Sequence, residues 1–343
     1  MRYLSDHLVF SLAKTLLSLS ETLTRWLVGL TGRRGPAVAS RLRDGARKLA
    51  DEVEALAKSD SVTFDLTVKG QPMRLYIPGD NGPARHFRDF YETSGGYEIV
   101  MVDLLTRLLG RMNDPVFVDV GAFIGFYTCY VGKLLDGKGS VYAVESNPDY
   151  VLAVERSVEL NGLGNVKIIA AALSDTEETV RSVGRTVVRD GSEGVELKAV
   201  TFDQVCVSES IAPDIMKMDI HGAEGKAIGG MTATLRDHVS FLLLELHPNQ
   251  YLRKYSPGVD RHRILDVLEE CGFRNYYIAG HRYSWSDGYQ HFLDSGRFSY
   301  HLLTDENRGM LLFDRYNHLL ILASKHDLEP IVGPSVLDPS LRQ

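Results

Sequence analysis

Residues 116–128 read VFVDVGAFIGFYT, and how this stretch folds decides how the rest is arranged. Val116 to Val120 is a short apolar run with one acid, Asp119, near its end. Such a run suits a parallel strand covered on both faces. Gly121 and Gly125 follow at once, and from Phe126 to Leu135 apolar residues return at helical spacing. Strand, glycine turn and helix together let the backbone turn tightly and approach a nucleotide-type ligand. A dinucleotide fingerprint needs G-x-G-x-x-G so that backbone can touch a pyrophosphate. Here Phe123 stands where the second glycine belongs, and the pattern is D-x-G-x-x-x-G. That disfavours a NAD-dependent oxidoreductase. S-adenosylmethionine (SAM) has no pyrophosphate and tolerates the change, and Asp119 is expected beside its cationic sulfonium end. The plain alternative is a glycine turn in an α/β domain that holds no cofactor.

Outward from this stretch, VYAVESNP at 141–148 reads as a second strand ending at Glu145. A carboxylate at the tip of that strand can accept both ribose hydroxyls. IMKMD at 215–219 is a further strand, and its acid opens the run DIHGAE, Asp219 to Glu224. With NGLGNVKIIAAALSD at 161–175 and LLLELHP at 242–248, these blocks resemble the FkbM family of SAM-dependent methyltransferases over roughly residues 95–250. The resemblance implies a Rossmann-like class I α/β fold, a mostly parallel seven-stranded sheet with helices on both faces. It implies SAM lying across Gly121, Ala122, Phe123 and Gly125, with its ribose on Glu145 beside Ser146 and its adenine beside Ala172. It also implies that Glu98 closes over the cofactor, and that the reaction is O-methylation of a hydroxyl on a sugar, glycan or other natural product. The chain departs from the family at His221, where glutamate is usual.

The bland readings stand beside these. Glu98 can be a helix N-terminal acid favoured by the helix dipole. Ala171 and Ala172 are equally ordinary core residues. A methyl acceptor that is an amine or a protein side chain, and a non-catalytic binding protein that keeps the fold, are the competing functions.

Composition narrows the classes. With 343 residues, 44% hydrophobic and 24% charged, the chain is an ordinary globular sequence with room for a sizeable core. A net charge of −7 argues against broad nucleic-acid binding. The first fifty residues hold nine Lys/Arg against three Asp/Glu, a net of about +6, leaving about −13 for the remainder. Three distant cysteines, Cys129, Cys206 and Cys271, show neither metal spacing nor a disulfide framework. Reduced thiols fit a cytoplasmic protein. No run of about twenty apolar residues suggests a membrane span, and no secretory signal stands out.

The chain divides into an expected helical extension over 1–58, a β-hairpin and cofactor-covering segment over 59–97, a methyltransferase domain over 98–325, and a tail over 326–343. In the extension Leu4, Leu8, Leu12, Leu16, Leu19, Leu23 and Leu27 form an apolar stripe. It reads as a cap on the main domain or another subunit, as a basic segment on a membrane surface, or as a transit peptide. Strands are expected at 116–120, 140–145, 166–171, 195–201, 215–219, 239–246, 275–279 and 318–323, with a helix from about Ala223 to Leu235. Residues 174–194 read as irregular or as a surface hairpin, 281–312 as a β-rich insertion or lid, and the proline-bearing tail from Glu329 as extended.

Methyl transfer requires in-line positioning and exclusion of water. An alcohol acceptor must also lose its proton, to a base or with help from a metal. In open α/β sheets ligands bind at the carboxyl ends of the strands. Those ends carry Asp219, His221, Glu224, Glu245 and His247. Asp219, His221, Glu245 and His247 are the candidate catalytic residues, and His221 the candidate general base. Asp219, Glu224 and Glu245 are candidate ligands if a divalent metal is used. Glu224 also reads as a first-turn acid, and each histidine as an ordinary turn residue. Glu245 lies inside an apolar strand, where an unpaired charge is costly, so a Lys, Arg or metal partner is expected. The acceptor is expected to be a small molecule or glycan. The sequence leaves the oligomeric state open.

Overall fold

The computed structural model describes residues 62–79, 81–183, 186–189, 194–281, 286–311 and 318–335. The extension expected over 1–58 lies outside the described residues. By internal packing the described chain forms two units, one with 62–64 and 77–89 apart from residue 80, the other with 65–76 and the described residues from 90 onward. In the first unit, Asn81 Oδ1 accepts from the Ala84 backbone N–H at 2.9 Å. That contact opens the helix Gly82–Ser94, whose Ala84 and Phe87 are buried.

The expected hairpin is present as β1 (Val62–Val68) and β2 (Gln71–Ile77), turning at Lys69 and Gly70. The main sheet is built from β3 (Val116–Val120), β4 (Ser140–Glu145) and β5 (Val166–Ala170). A smaller four-stranded sheet follows in sequence, made of β6 (Ala172–Leu173), β7 (Glu178–Val183), β8 (Thr186–Val188) and β9 (Val195–Val200). The chain then returns to the main sheet with β10 (Ile215–Met218), β11 (Phe241–Leu246), β12 (Arg274–Ile278), β13 (Tyr300–Leu302) and β14 (Leu319–Ser324). The spatial order is β13-β12-β14-β11-β10-β3-β4-β5. β5, β4, β3, β10 and β11 run parallel, and β14 is antiparallel to both β11 and β12. The seven expected strands are therefore joined by an eighth, β13, at one edge.

The central strands are apolar along their length because both faces are covered. Leu242, Leu243, Leu244 and Leu246 of β11 and Leu320 to Ala323 of β14 are wholly buried. Each such leucine contributes about 1.5–3 kcal/mol relative to exposure. The helix Phe126–Leu135 starts at Gly125, whose φ of 87° lies in the left-handed region. The helix Pro148–Asn161 starts at Asn147, which caps the Asp149 N–H, and ends at Gly162 with φ 63°.

Of the two readings of residues 174–194, the hairpin is the one seen, since β7 pairs antiparallel with β8 and with β9. Several other expectations are corrected. The helix expected over 223–235 is two helices, Glu224–Gly229 and Thr232–Asp237. The break falls at Gly230, where a Cβ would lie 1.9 Å from the Ser174 carbonyl oxygen, so the neighbouring backbone fits only against glycine. The described part of 281–312 is more helical than β-rich, with helices Asp287–Ser295 and Asp305–Leu311 around the short β13. The Ser286 side chain caps the Tyr289 N–H, and Gly296 at φ 64° ends that helix. Glu329–Val332, expected to be extended, is a short helix. Among the described residues no helix is long and apolar enough to cross a membrane.

Candidate active site

β3, β10 and β11 are neighbours and parallel, and β4 flanks β3, so their carboxyl ends lie along one margin of the sheet. The glycine loop leaves β3 there. Gly121 has φ 80°, and a Cβ on it would sit 2.0 Å from the Asp219 carbonyl oxygen. Only glycine allows the end of β10 to pass so close. The N–H groups of Gly121 and Ala122 both donate to the Val144 carbonyl, at 2.9 and 3.3 Å. Phe123 adopts φ 55° and packs its ring edge-on to Tyr150 at 4.8 Å. Its contribution to the loop is its backbone N–H, which donates to Glu145 Oε2 at 2.9 Å.

Glu145 ends β4 and is 8% exposed. Its Oε1 accepts from the Ser146 and Asn147 N–H groups at 2.8 and 2.9 Å. Burial raises its carboxyl above the usual range, against three backbone N–H groups and Lys217, which pull it down. A carboxylate offers about four acceptor directions. Three are used, so the expected pair of ribose hydroxyls meets one open direction, on Oε2. Beside it, a cleft of about 350 Å³ is lined by Ser146, Pro148, Val151, Ala170, Ala171 and Ala172. The small alanine side chains there leave space for a flat ring.

Asp119 corrects an expectation. It is wholly buried and ion-paired with Lys217 of β10, Nζ to Oδ1 at 3.1 Å. Thr128 Oγ1 donates to its other oxygen at 2.7 Å. Lys217 Nζ also donates to the Gly121 carbonyl at 2.9 Å, so the pair pins the glycine loop from below. Asp119 is thus spent on Lys217 and not left to face a sulfonium. Glu98 precedes the helix Ile99–Leu109 in the left-handed region at φ 46°, and makes no side-chain cap. Its carboxylate accepts from Tyr127 Oη at 2.7 Å.

The ends of β10 and β11 bring Asp219, His221, Glu245 and His247 together as expected. His247 Nε2 faces His221 Nδ1 at 3.2 Å, with Asp219 Oδ1 at 3.8 Å and Glu245 Oε1 at 3.7 Å. His247 Nδ1 lies 2.8 Å from Glu224 Oε1 and 3.3 Å from the Glu245 carbonyl oxygen. Both neighbours are acceptors, so Nδ1 carries a proton. Burial alone would lower the His247 pKa, but Glu224, Asp219 and Glu245 outweigh it and push it up to about 9. Glu224 is buried and also accepts from the Gly222 and Ile220 N–H groups, at 3.1 and 3.3 Å. It therefore backs His247 and shapes the loop instead of pointing into the site. That corrects its place among the expected ligands.

Glu245 has two histidine partners among the described residues. Its Oε2 lies 3.0 Å from His281 Nε2, and its Oε1 lies 2.6 Å from His318 Nδ1. Sequence reading singled out neither histidine. His318 immediately precedes the last strand and His281 follows β12, so each reaches the cluster only through the sheet order. Lys217 and Arg261 were missed as well. Lysine inside the apolar IMKMD strand signals a buried partner as plainly as Glu245 does. Arg261 is 1% exposed and donates to the carbonyls of His247 and Leu246 at 2.9 and 3.1 Å, fixing the turn after β11.

Residues 119–275 match the methyltransferase FkbM domain. That match spans a little under half of the chain. The chain is a SAM-dependent methyltransferase. It is 26% identical over 177 residues to the hexuronic acid methyltransferase AglP of Haloferax volcanii, covering 49% of this chain and 68% of that protein. It is 27% identical over 175 residues to protein-L-isoaspartate O-methyltransferase 1 of Archaeoglobus fulgidus, covering 51% and 69%. Among solved structures it resembles a methyltransferase FkbM from Methylobacillus flagellatus KT, with a TM-score of 0.39 and 16% identity over 62% of this chain and 44% of that one.

The residues at the ends of β3 and β4 fit SAM. The β3 glycine loop, the Glu145 carboxylate and the alanine-lined cleft are contiguous with one another through Phe123, Ser146 and the end of β5. The acid and histidine cluster lies beyond that loop, at the ends of β10, which neighbours β3, and of β11, the strand after it.

Proposed function

We propose that this methyltransferase acts on a hydroxyl oxygen of a sugar, glycan or related natural product. SAM, when bound, supplies an activated methyl group. As the new O–C bond forms, the C–S bond breaks, its electron pair stays on sulfur, and the hydroxyl proton must go to the protein. Asp219, His221, Glu245 and His247 face the acceptor in this reading. Glu145 and Ser146 hold the ribose, the glycine loop positions the amino-acid end, and Ala172 borders the adenine. The cluster of carboxylates and imidazoles at the ends of β10 and β11 carries the reading. An amine acceptor needs only to be unprotonated, whereas a hydroxyl needs such a proton acceptor. The similarity to a protein named as a hexuronic acid methyltransferase supports a sugar as acceptor.

The test is methyl transfer from labelled SAM to a panel of uronic acids, neutral sugars and amines, with the linkage of the product determined. Loss of the acid–base group should lower kcat by about 10²–10⁴-fold in His221→Ala and Asp219→Asn. Transfer to amines that is indifferent to both substitutions sinks the hydroxyl reading.

A further inference from the structure

We propose that Asp219, His221 and His247 form a binding site for one divalent first-row transition-metal ion. The three offer Asp219 Oδ1, His221 Nδ1 and His247 Nε2, all within 4.8 Å of one another. Bonds of about 2.0–2.2 Å to a tetrahedral ion place ligand atoms roughly 3.3–3.5 Å apart. The observed 3.2 Å between the imidazole nitrogens and 3.8 Å from His247 Nε2 to Asp219 Oδ1 bracket that spacing.

Three features point to an ion at this place. First, His247 gives its Nδ1 proton to Glu224 Oε1 and the Glu245 carbonyl, so Nε2, turned into the cluster, is the nitrogen that an ion would bind in place of a proton. A carboxylate behind a ligating imidazole fixes its tautomer and raises its basicity in metal sites generally. Second, the same Glu224 carboxylate accepts the Gly222 and Ile220 N–H groups. It thereby holds the loop that presents His221, a non-glycine residue kept at φ 53°. Such strain persists only where the surroundings fix it. One buried acid therefore orients two of the three donors. Third, a proton does less than an ion here. A proton on His247 Nε2 can bridge to His221, but the carboxylate oxygens at 3.7 and 3.8 Å lie beyond a hydrogen bond. An ion at the centre reaches all three donors. Glu245, held by His281 and His318, adds negative charge alongside.

Two imidazoles with one carboxylate favour Zn²⁺, Mn²⁺, Fe²⁺ or Co²⁺ over Mg²⁺ and Ca²⁺, and such a set leaves coordination positions open. An acceptor oxygen entering an open position would lose its proton more easily. That role rests on the hydroxyl reading above, whereas binding of the ion does not.

The full chain, stripped with a chelator and refolding-checked by thermal melting, is titrated with Co²⁺. The visible absorption of the bound ion is followed, and metal per chain is measured by mass spectrometry. The expected result is about one ion per chain, displaced by Zn²⁺. Affinity should fall at least about tenfold in His221→Ala and Asp219→Asn and about 10–100-fold in Glu224→Gln, on the usual scale for ligand and outer-shell groups. His262→Ala, an exposed histidine on the helix Arg261–Glu270, should bind as the parent does. X-ray absorption of the unsubstituted Co²⁺ form should count two imidazoles, and needs no variant to fold. Absence of stoichiometric binding, a bound ion without imidazole ligands, or unchanged affinity in a folded His221→Ala overturns the site. SAM-dependent transfer to a hydroxyl in metal-free enzyme defeats the metal's role while sparing the function. Stoichiometric metal without transfer to any hydroxyl does the reverse.

Discussion

Replacing Lys217 with Met should be among the most damaging single changes to this protein. Lys217 is 4% exposed, and its partner Asp119 is wholly buried at 3.1 Å. The Lys217 ammonium is opposed by burial, yet Asp119, Asp219 and Glu98 together raise its pKa above the ordinary value. Removing it leaves the Asp119 carboxylate uncompensated in the interior, with only the Thr128 hydroxyl as donor. Breaking a buried pair from one side costs about 3–5 kcal/mol. The Gly121 carbonyl also loses its donor, so the glycine loop should loosen and SAM affinity fall. Denaturant unfolding measures the first effect and calorimetric titration the second. A double variant, Asp119→Asn with Lys217→Met, removes both charges and should recover part of the loss. A coupling of at least about 1–2 kcal/mol is expected from the double-mutant cycle. A loss below about 1 kcal/mol in the single variant would refute the reasoning, because an uncompensated buried carboxylate cannot be that cheap. Since the folded pKa of Lys217 is raised, its contribution is complete below the unfolded lysine pKa and disappears as pH rises through the folded value.

Three further outcomes are expected. Glu145→Ala leaves the N–H groups of Phe123, Ser146 and Asn147 without their acceptor; SAM binding by calorimetry should weaken at least about tenfold, the scale of one charged hydrogen bond or more, and parental affinity would remove Glu145 from the cofactor site. The three cysteines are buried and free, and burial pushes the Cys129 thiol up to about 12; a thiol reagent at neutral pH should leave Cys129 unmodified in the native protein and reach it only in denaturant, so rapid native labelling of Cys129 contradicts its burial. Burial opposes ionisation of Asp175, but Lys226 holds its carboxyl below the usual range; the pair stabilises above the unfolded carboxyl pKa and is lost as pH falls through the folded one. Because Lys226 and Asp175 are 24% and 35% exposed, that acid-dependent increment should be under about 1 kcal/mol, and Lys226→Met should abolish it in urea melts at pH 7 and pH 3.

The parallel core was legible because its strands are marked at both ends: by apolar runs such as IMKMD and by the turn chemistry of Gly121, Gly125, Asn147 and Gly162. The candidate cluster was half legible. Asp219, His221, Glu245 and His247 sit just past two recognisable strands, so strand-end reasoning finds them. His281 and His318 come from segments whose local pattern says nothing about the sheet position they take. The sense of Glu224 was hidden for a different reason. A first-turn acid looks the same in sequence whether it faces solvent, a ligand or the back of a histidine. The helix Asp287–Ser295 was missed because aromatic residues mask its period, although Ser286 and Gly296 bracket it. Asp119 was read alone, and only the register that sets it opposite Lys217 makes the two a pair.

The place of β14 has a consequence for how the chain is made. β14 comes last of the strands in sequence, yet it lies between β11 and β12 and bonds to both. A nascent chain emerges from its first end, at about 5–20 residues per second. For the interval before residue 319 appears, β11 and β12 present unsatisfied edges, and open apolar edges recruit strands from other molecules. His318, the partner of Glu245, arrives with the same segment. Closure of the sheet and completion of the buried charge cluster are therefore one late event of synthesis, and a ribosome-stalled chain ending before β14 should carry neither.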